Sequence, residues 1–147
     1  MTAATMLGFV SRSMHVDGPR RPSTEDELLL RLVASFSIEC DGQPIYSEPE
    51  FPVVELASAL HAWLQTPERA RGDFRFESMD AAERDLVWIR GGADGWHAGS
   101  VRQTRSLAKA IALGEIEFAV RRYIRDVTAQ ARELGCDVTR VIARSGS

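Results

Sequence analysis

Apolar and polar residues alternate along two stretches in the first part of the chain, and such alternation predicts β-strands with one buried face. The first stretch is Met6 to Val16, and the second, Glu27 to Cys40, is the longest in the chain. Leucine-rich composition and a possible capping box at Ser23 to Asp26 would also fit a helix at the second stretch. The length of the alternation favours a strand. Its apolar side holds Leu28, Leu30, Leu32, Ala34, Phe36, Ile38 and Cys40.

A tight turn is predicted directly after this second strand. Asp41-Gly42 follows Cys40, and Asp-Gly next to an alternating run favours a hairpin because a type I′ turn needs positive φ at both positions. A two-residue turn would pair Ile38 with Ile45 and keep both on the core side. Pro44 has no N–H to donate to a ladder, so we expect Gln43 to Glu48 to be an edge strand.

Helical spacing of apolar residues appears in two later stretches. Val53 to Leu64 predicts the first helix, and Leu113 to Leu134 predicts a second helix that ends at Gly135. Between them, Asp73 to Gln103 divides into three short runs separated by turn residues, which predicts three antiparallel strands. Asp137 to Arg144 predicts a short apolar strand or coil packed on the core.

The predicted order is β-β-β-α-β-β-β-α, which is typical of an α+β fold. We expect an antiparallel sheet of five to six strands with two helices packed on one face. A length of 147 residues fits a single domain, spanning 1–147.

Composition limits the expected cellular location of the protein and the kinds of functional site it can contain. There is no window of about 18 apolar residues, so we expect no membrane span. The N-terminus has no basic opening and makes a poor signal peptide. Cys40 and Cys136 match no metal or redox spacing, which fits reduced thiols in a cytoplasmic protein. No catalytic, nucleotide-binding or metal-binding motif occurs, and we expect no cofactor and no metal.

One histidine offers an alternative function. His97 follows Trp96 on a predicted strand, with Asp94 and Ser100 close in sequence. A histidine beside an acid and a hydroxyl suggests general base catalysis. The alternative to a binding protein is therefore a small enzyme or ligand-binding domain with a cleft near His97.

Charge is distributed unevenly along the chain. Met1 to Asp80 holds 7 basic and 13 acidic residues, whereas Ala81 to Ser147 holds 11 basic and 8 acidic residues. The 37 residues from Leu32 to Glu68 contain no lysine or arginine. An acidic surface attracts a basic protein and repels nucleic acid. The alternative is a solvated edge that only prevents aggregation.

The acidic residues between Leu32 and Glu68 concentrate on the predicted hairpin. We therefore predict that this hairpin binds a basic protein partner. In that interpretation the carboxylates steer the partner, while Tyr46 supplies the apolar anchor that tight interfaces need. The predicted partner-binding residues are Glu39, Asp41, Tyr46, Glu48 and Glu50.

Several short groups of residues carry a family resemblance: Glu39-Cys40-Asp41-Gly42, Phe51 to Ala57 with Trp63-Leu64, Phe76 to Met79, Asp94-Gly95-Trp96, and Gly99-Ser100-Val101 with Gln103. They resemble a family of small uncharacterised domains from high-GC bacteria. The layout is also similar to immunity proteins of bacterial polymorphic toxin systems. The resemblance covers roughly Glu39 to Gln103 and, more loosely, the last predicted helix. It implies a non-enzymatic inhibitor that binds a cognate toxin, and it assigns no individual functional residue.

Overall fold

The computed structural model describes residues 6–78, 85–106 and 109–144, and it shows an α+β protein. A single 3₁₀ turn, Glu68–Ala70, lies between the second helix and the fourth strand. The other elements are β1 (Leu7–Val16), α1 (Glu25–Arg31), β2 (Leu32–Cys40), β3 (Gln43–Phe51), α2 (Val53–Gln65), β4 (Phe74–Phe76), β5 (Val87–Gly92), β6 (Gly95–Gly99), α3 (Leu113–Glu133) and α4 (Thr139–Arg144).

The strands form two three-stranded antiparallel sheets, in the orders β1-β2-β3 and β4-β5-β6. The prediction of one sheet of five to six strands is therefore wrong. β3 ends the first sheet because Pro44 and Pro49 cannot donate to a further ladder. A loop contacts β3 instead, where the Thr104 N–H donates to the Ile45 carbonyl at 2.9 Å.

The long alternating stretch is a helix followed by a strand. Glu27 to Arg31 is helical, contrary to the prediction, whereas Leu32 to Cys40 is β2 as predicted. The helix begins with an N-cap at Thr24, one residue after the Ser23 expected from the sequence: the Thr24 hydroxyl oxygen accepts from the Glu27 N–H at 3.1 Å, and the hydroxyl donates to the Glu27 carboxylate at 3.2 Å. In this segment the helix cap outweighs the strand preference that the alternation of apolar and polar residues indicates.

The hairpin between β2 and β3 has the predicted turn and a shifted register. Asp41 and Gly42 have φ of 52° and 80°, and Cys40 pairs with Gln43 across them. Ile38 pairs with Tyr46 instead of Ile45, because the register shifts between Ile38 and Glu39. The bulge buries two consecutive side chains of β3, Ile45 and Tyr46, and β3 is an edge strand as predicted.

Helices α2 and α3 join the two sheets. α2 packs on β2 and β4, and α3 packs on β1, α2 and β6. At the junction the rings of Phe51 and Phe76 lie 5.7 Å apart. The largest fully buried side chains therefore come from every layer: Tyr123, Phe36, Phe51, Phe76, Leu32, Ile38, Leu56, Leu60, Ile89, Ile111, Ile116 and Val53.

The remaining elements confirm the sequence-based predictions in part. The three strands predicted between Asp73 and Gln103 are confirmed, although β6 ends at Gly99 and the chain then turns. The segment after α3, predicted as a strand or coil, contains the helix α4. Asp137 caps it by accepting from the Thr139 N–H at 3.0 Å, which lowers the pKa of this carboxyl group. In the described ranges no helix is both long and apolar enough to cross a bilayer.

Candidate functional site

The five predicted partner-binding residues lie in two separate places. Tyr46, Glu48 and Glu50 line a cleft of about 280 Å³ between β3, the end of β1 and the loop after β6. Glu39 and Asp41 lie at the turn of the hairpin, beside β1. We call the first place the acidic cleft. Its other lining residues are Asp17, Leu30, Val33, Phe51, Pro52, Ser78, Leu86 and Arg102.

Carboxylates outnumber cations in the acidic cleft. Among the residues that the structure describes, Asp17, Glu48 and Glu50 line it together with one arginine, Arg102. The Arg102 guanidinium lies 3.2 Å from the Glu48 carboxylate, so this pair is balanced. Glu50 lies 3.2 Å from the His15 imidazole and is 63% exposed. The described lining of the cleft therefore holds three carboxylates and one arginine, which is an excess of negative charge.

Asp17 belongs to this cleft although no sequence pattern singles it out. It follows β1 directly, and its N–H donates to the Arg31 carbonyl at 2.6 Å. The Arg31 guanidinium in turn donates to the Asp17 carbonyl at 2.8 Å. These bonds fix the backbone of Asp17 while the residue stays exposed. Only the pairing of β1 with β2 brings it near the hairpin, and local sequence does not reveal that pairing.

Tyr46 lies in the wall of the cleft. The residue is 3% exposed, and its ring meets the edges of Phe36 and Phe51 at 6.2 and 6.5 Å. Burial, with a smaller contribution from Glu48, raises the pKa of Tyr46 to about 12. Its hydroxyl donates to the Glu48 carboxylate at 3.2 Å. The Tyr46 ring, which was predicted to anchor a partner, thus packs in the core. Its hydroxyl positions the Glu48 carboxylate.

Glu39 and Asp41 hold the hairpin to β1. The Glu39 carboxylate accepts from the Ser37 hydroxyl at 2.9 Å and pairs with Arg12 at 3.3 Å. The Asp41 carboxylate accepts from the Met6 N–H at 2.8 Å. Arg12 and Arg102 both come from outside the run that lacks basic residues. The hairpin is therefore less negative than its own sequence indicates.

A second and larger groove, of about 610 Å³, lies between β1 and α3. We call it the edge groove, because β1 is an outer strand of the first sheet. Two of its apolar side chains, Met6 and Phe118, are 68% and 67% exposed. The lining consists of Met6, Leu7, Gly8, Phe9, Val10, Ser11, Arg12, Glu39, Asp41, Gly42, Gly114, Glu115, Phe118, Ala119, Arg122 and Asp126.

His97 is not assembled into an acid–base site within the described part of the chain. It lies opposite Arg90 in the β5–β6 ladder, and neither the acidic cleft nor the edge groove includes it. The Ser100 hydroxyl accepts from the Arg102 N–H at 3.1 Å within the turn after β6. No observed contact therefore favours the enzyme alternative. Residues 6–78, 85–106 and 109–144 contain no group of three or more metal-ligating side chains.

Comparison with known families gives one match. The model of the family described as "Domain of unknown function (DUF7878)" matches residues 13–133, from the middle of β1 to the end of α3. No curated protein and no solved structure matches the chain. Because the family match extends over most of the chain, the protein belongs to this family of domains of unknown function.

Proposed function

We propose that the protein is a non-enzymatic binding protein that inhibits a cognate bacterial toxin, and that it binds a basic surface of this toxin at the acidic cleft. The observation that carries the proposal is the charge of the cleft, where the described lining residues include the carboxylates of Asp17, Glu48 and Glu50 and one arginine, Arg102. Such a surface accelerates association with a basic protein and selects against acidic ones.

The shape of the cleft suggests which side chains of the partner it takes. Leu30 and Val33 provide an apolar wall, while Asp17 and Glu50 provide exposed carboxylates. An arginine or lysine has an aliphatic stem for such a wall and a charged head for such carboxylates. We propose that one or more basic side chains of the toxin insert here. Glu48 is held by Tyr46 and Arg102 and shapes the cleft from inside.

The immunity role itself rests on the resemblance of short residue groups. Two of those groups contain Trp63 and Trp96, whose rings lie 6.1 Å apart where α2 meets the second sheet. Trp63 also donates to the Gly72 carbonyl at 2.9 Å. These two tryptophans thus maintain the fold and do not themselves line the acidic cleft. The proposal places the protein in the cytoplasm, where it would neutralise the toxin.

The proposal is tested with the product of the neighbouring gene as the candidate toxin. Co-purification is measured first, and association kinetics are then measured over a range of salt concentrations. We expect the double variant Asp17→Lys/Glu50→Lys to associate more slowly and with a weaker salt dependence, while dissociation changes little. Glu48 is left intact because its reversal would place a lysine against Arg102.

The matched control is Glu68→Lys/Glu133→Lys, which makes the same change in net charge at exposed positions outside the cleft. If both double variants slow association equally, the effect comes from net charge in general. The acidic cleft is then not the binding site. A neighbouring gene product that does not bind the wild-type chain would argue against the immunity role.

A further inference from the structure

The first sheet has two outer edges, and the described part of the chain protects them to different extents. β3 carries Pro44, Pro49 and two glutamates, which are typical defences of an edge strand. The outer edge of β1 is covered at Ser11 by Gln130 of α3, and the strand is irregular after Arg12. Its first part, Leu7 to Val10, has no proline and no charged residue. An unprotected edge of this kind is suited to pairing with another strand.

The backbone along β1 shows which groups face outward. The Met6 carbonyl accepts from the Asp41 N–H at 2.8 Å, so Met6 faces the hairpin. The Ser11 carbonyl accepts from the Gln130 side chain of α3 at 2.7 Å, so Ser11 faces the outer edge. Since these orientations alternate along an antiparallel strand, the backbone groups of Leu7 and Phe9 also face the outer edge.

Helix α3 presents a stripe to the edge groove that is complementary to itself. Phe118 and Ala119 lie at its centre, with Glu115 three residues before Phe118 and Arg122 three residues after Ala119. Glu115 and Arg122 are exposed, and neither pairs with another side chain in the described part of the chain. If two copies of this stripe pack antiparallel, each Glu115 lies opposite the Arg122 of the other copy.

We infer that β1 and α3 form an interface between two copies of this chain, related by a two-fold axis. β1 pairs antiparallel with β1 of the second copy, which joins the two first sheets into a continuous six-stranded sheet. The same axis brings the two α3 helices side by side, covers Phe118, and sets Glu115 against Arg122 twice. An interface of this type uses one patch on both subunits, and such two-fold dimers are the commonest oligomers.

The test is the oligomeric state of the full chain, measured by sedimentation equilibrium as a function of concentration. We expect a reversible dimer. Glu115→Arg and Arg122→Glu should each weaken dimerisation by about tenfold or more, because symmetry introduces repulsion at two contacts. The double variant Glu115→Arg/Arg122→Glu restores opposite charges across the axis and should recover most of the affinity.

Two further variants separate the interface from general effects. Leu7→Pro removes an outward N–H and should weaken the dimer while the strand keeps its bonds to β2. Arg125→Glu reverses a charge on the same helix outside the edge groove and should leave the dimer unchanged. Circular dichroism of each variant verifies the fold.

A wild-type chain that stays monomeric up to about 1 mM overturns the inference and leaves the edge to a strand of some other protein. A dimer that tolerates Leu7→Pro and both single reversals also overturns it, because its interface would lie elsewhere. Since the measurement needs no toxin and the acidic cleft lies on the β3 side, its outcome is independent of the proposed function.

Discussion

The ring of Phe36 stacks on the ring of Phe51 with centroids 4.7 Å apart and planes inclined by 25°. Both side chains are fully buried. Tyr123 of α3 meets Phe36 edge-on at 5.7 Å. The hairpin and the long helix are thus joined at one aromatic cluster, which makes Phe36 the most informative position for a test of the core.

Phe36→Ala should lower the free energy of unfolding by about 3–5 kcal/mol, because it removes a buried ring and leaves a cavity between Phe51 and Tyr123. Urea denaturation measures the change. Val101→Ala, at an exposed apolar position, is the control and should change stability by about 0.5 kcal/mol or less. Equal losses for the two variants would show that Phe36 is not in the core.

Alkaline pH should destabilise the protein through its tyrosines. The pKa of Tyr46 is about 12 in the folded chain and about 10 when unfolded. Because the folded pKa is raised, this contribution to stability is fully present below pH 10 and is lost as the pH rises toward 12. Burial also raises the pKa of Tyr123 well above its usual value. Denaturation midpoints measured from pH 8 to pH 12 should therefore fall above about pH 10.

Tyr46→Phe is the matched variant, since it keeps the ring and removes the ionisable hydroxyl. Relative to its own value at neutral pH, its stability should fall less between about pH 10 and pH 12. An unchanged pH profile in this variant would mean that Tyr46 is accessible in the folded protein.

The two cysteines should behave as free thiols of low reactivity. No disulfide joins Cys40 and Cys136, and Cys136 is buried. Burial raises the pKa of the half-buried Cys40, and the neighbouring Asp41 carboxylate raises it further. Alkylation should modify Cys40 slowly and Cys136 only after unfolding, because the thiolate is the reactive form. A protein that shows no free thiol in denaturant without reductant would contradict this.

Asp41→Asn should accelerate alkylation of Cys40 at a given pH, because it removes the negative charge that raises the thiol pKa. Asparagine tolerates the positive φ of this turn position, so the hairpin is preserved. Asp73→Asn removes a charge far from Cys40 in the sequence and should have no effect on the rate.

Arg71 should be important for stability although it lies in a loop. Its side chain is 5% exposed, lies 2.9 Å from the Glu117 carboxylate and stacks over the Trp63 ring. It also donates to the Leu64 and Thr66 carbonyls at the end of α2. Arg71→Leu should cost about 1–3 kcal/mol, because it leaves the Leu64 and Thr66 carbonyls without this donor and leaves Glu117 paired, among the described residues, with the exposed Arg121 alone.

The control is Arg75→Leu, since Arg75 forms an ion pair with Asp85 and is 65% exposed. This variant should cost about 1 kcal/mol or less. Thermal unfolding of both variants measures the difference. Comparable losses would mean that the Arg71–Glu117 pair is solvated.

The sequence predicts this fold well where the signals are local. The Asp41-Gly42 turn, the helix from Val53 and the helix from Leu113 all appear as expected. Local signals conflict at Glu27 to Arg31, where a period-2 pattern follows a helix N-cap. There the hydrogen bond between Thr24 and Glu27 shows which signal prevails.

The candidate site was less predictable because it depends on contacts between distant residues. Acidic side chains of the hairpin are visible in the sequence, but Arg12 and Arg102, which balance two of them, are not adjacent to it. Asp17 enters the cleft through strand pairing alone. Pro44 indicates locally that β3 is an edge strand, but no local pattern indicates the contact of Thr104 with Ile45 on this edge.

The bond between Ser11 and Gln130 has a consequence for how the chain is made. The two residues are 119 positions apart, yet the Gln130 side chain holds the first strand of the protein. During synthesis at about 5 to 20 residues per second, roughly 6 to 24 s separate their emergence from the ribosome. Throughout that interval β1 has neither its helix nor the ring of Tyr123, so its apolar residues are open to chaperones and to neighbouring nascent chains.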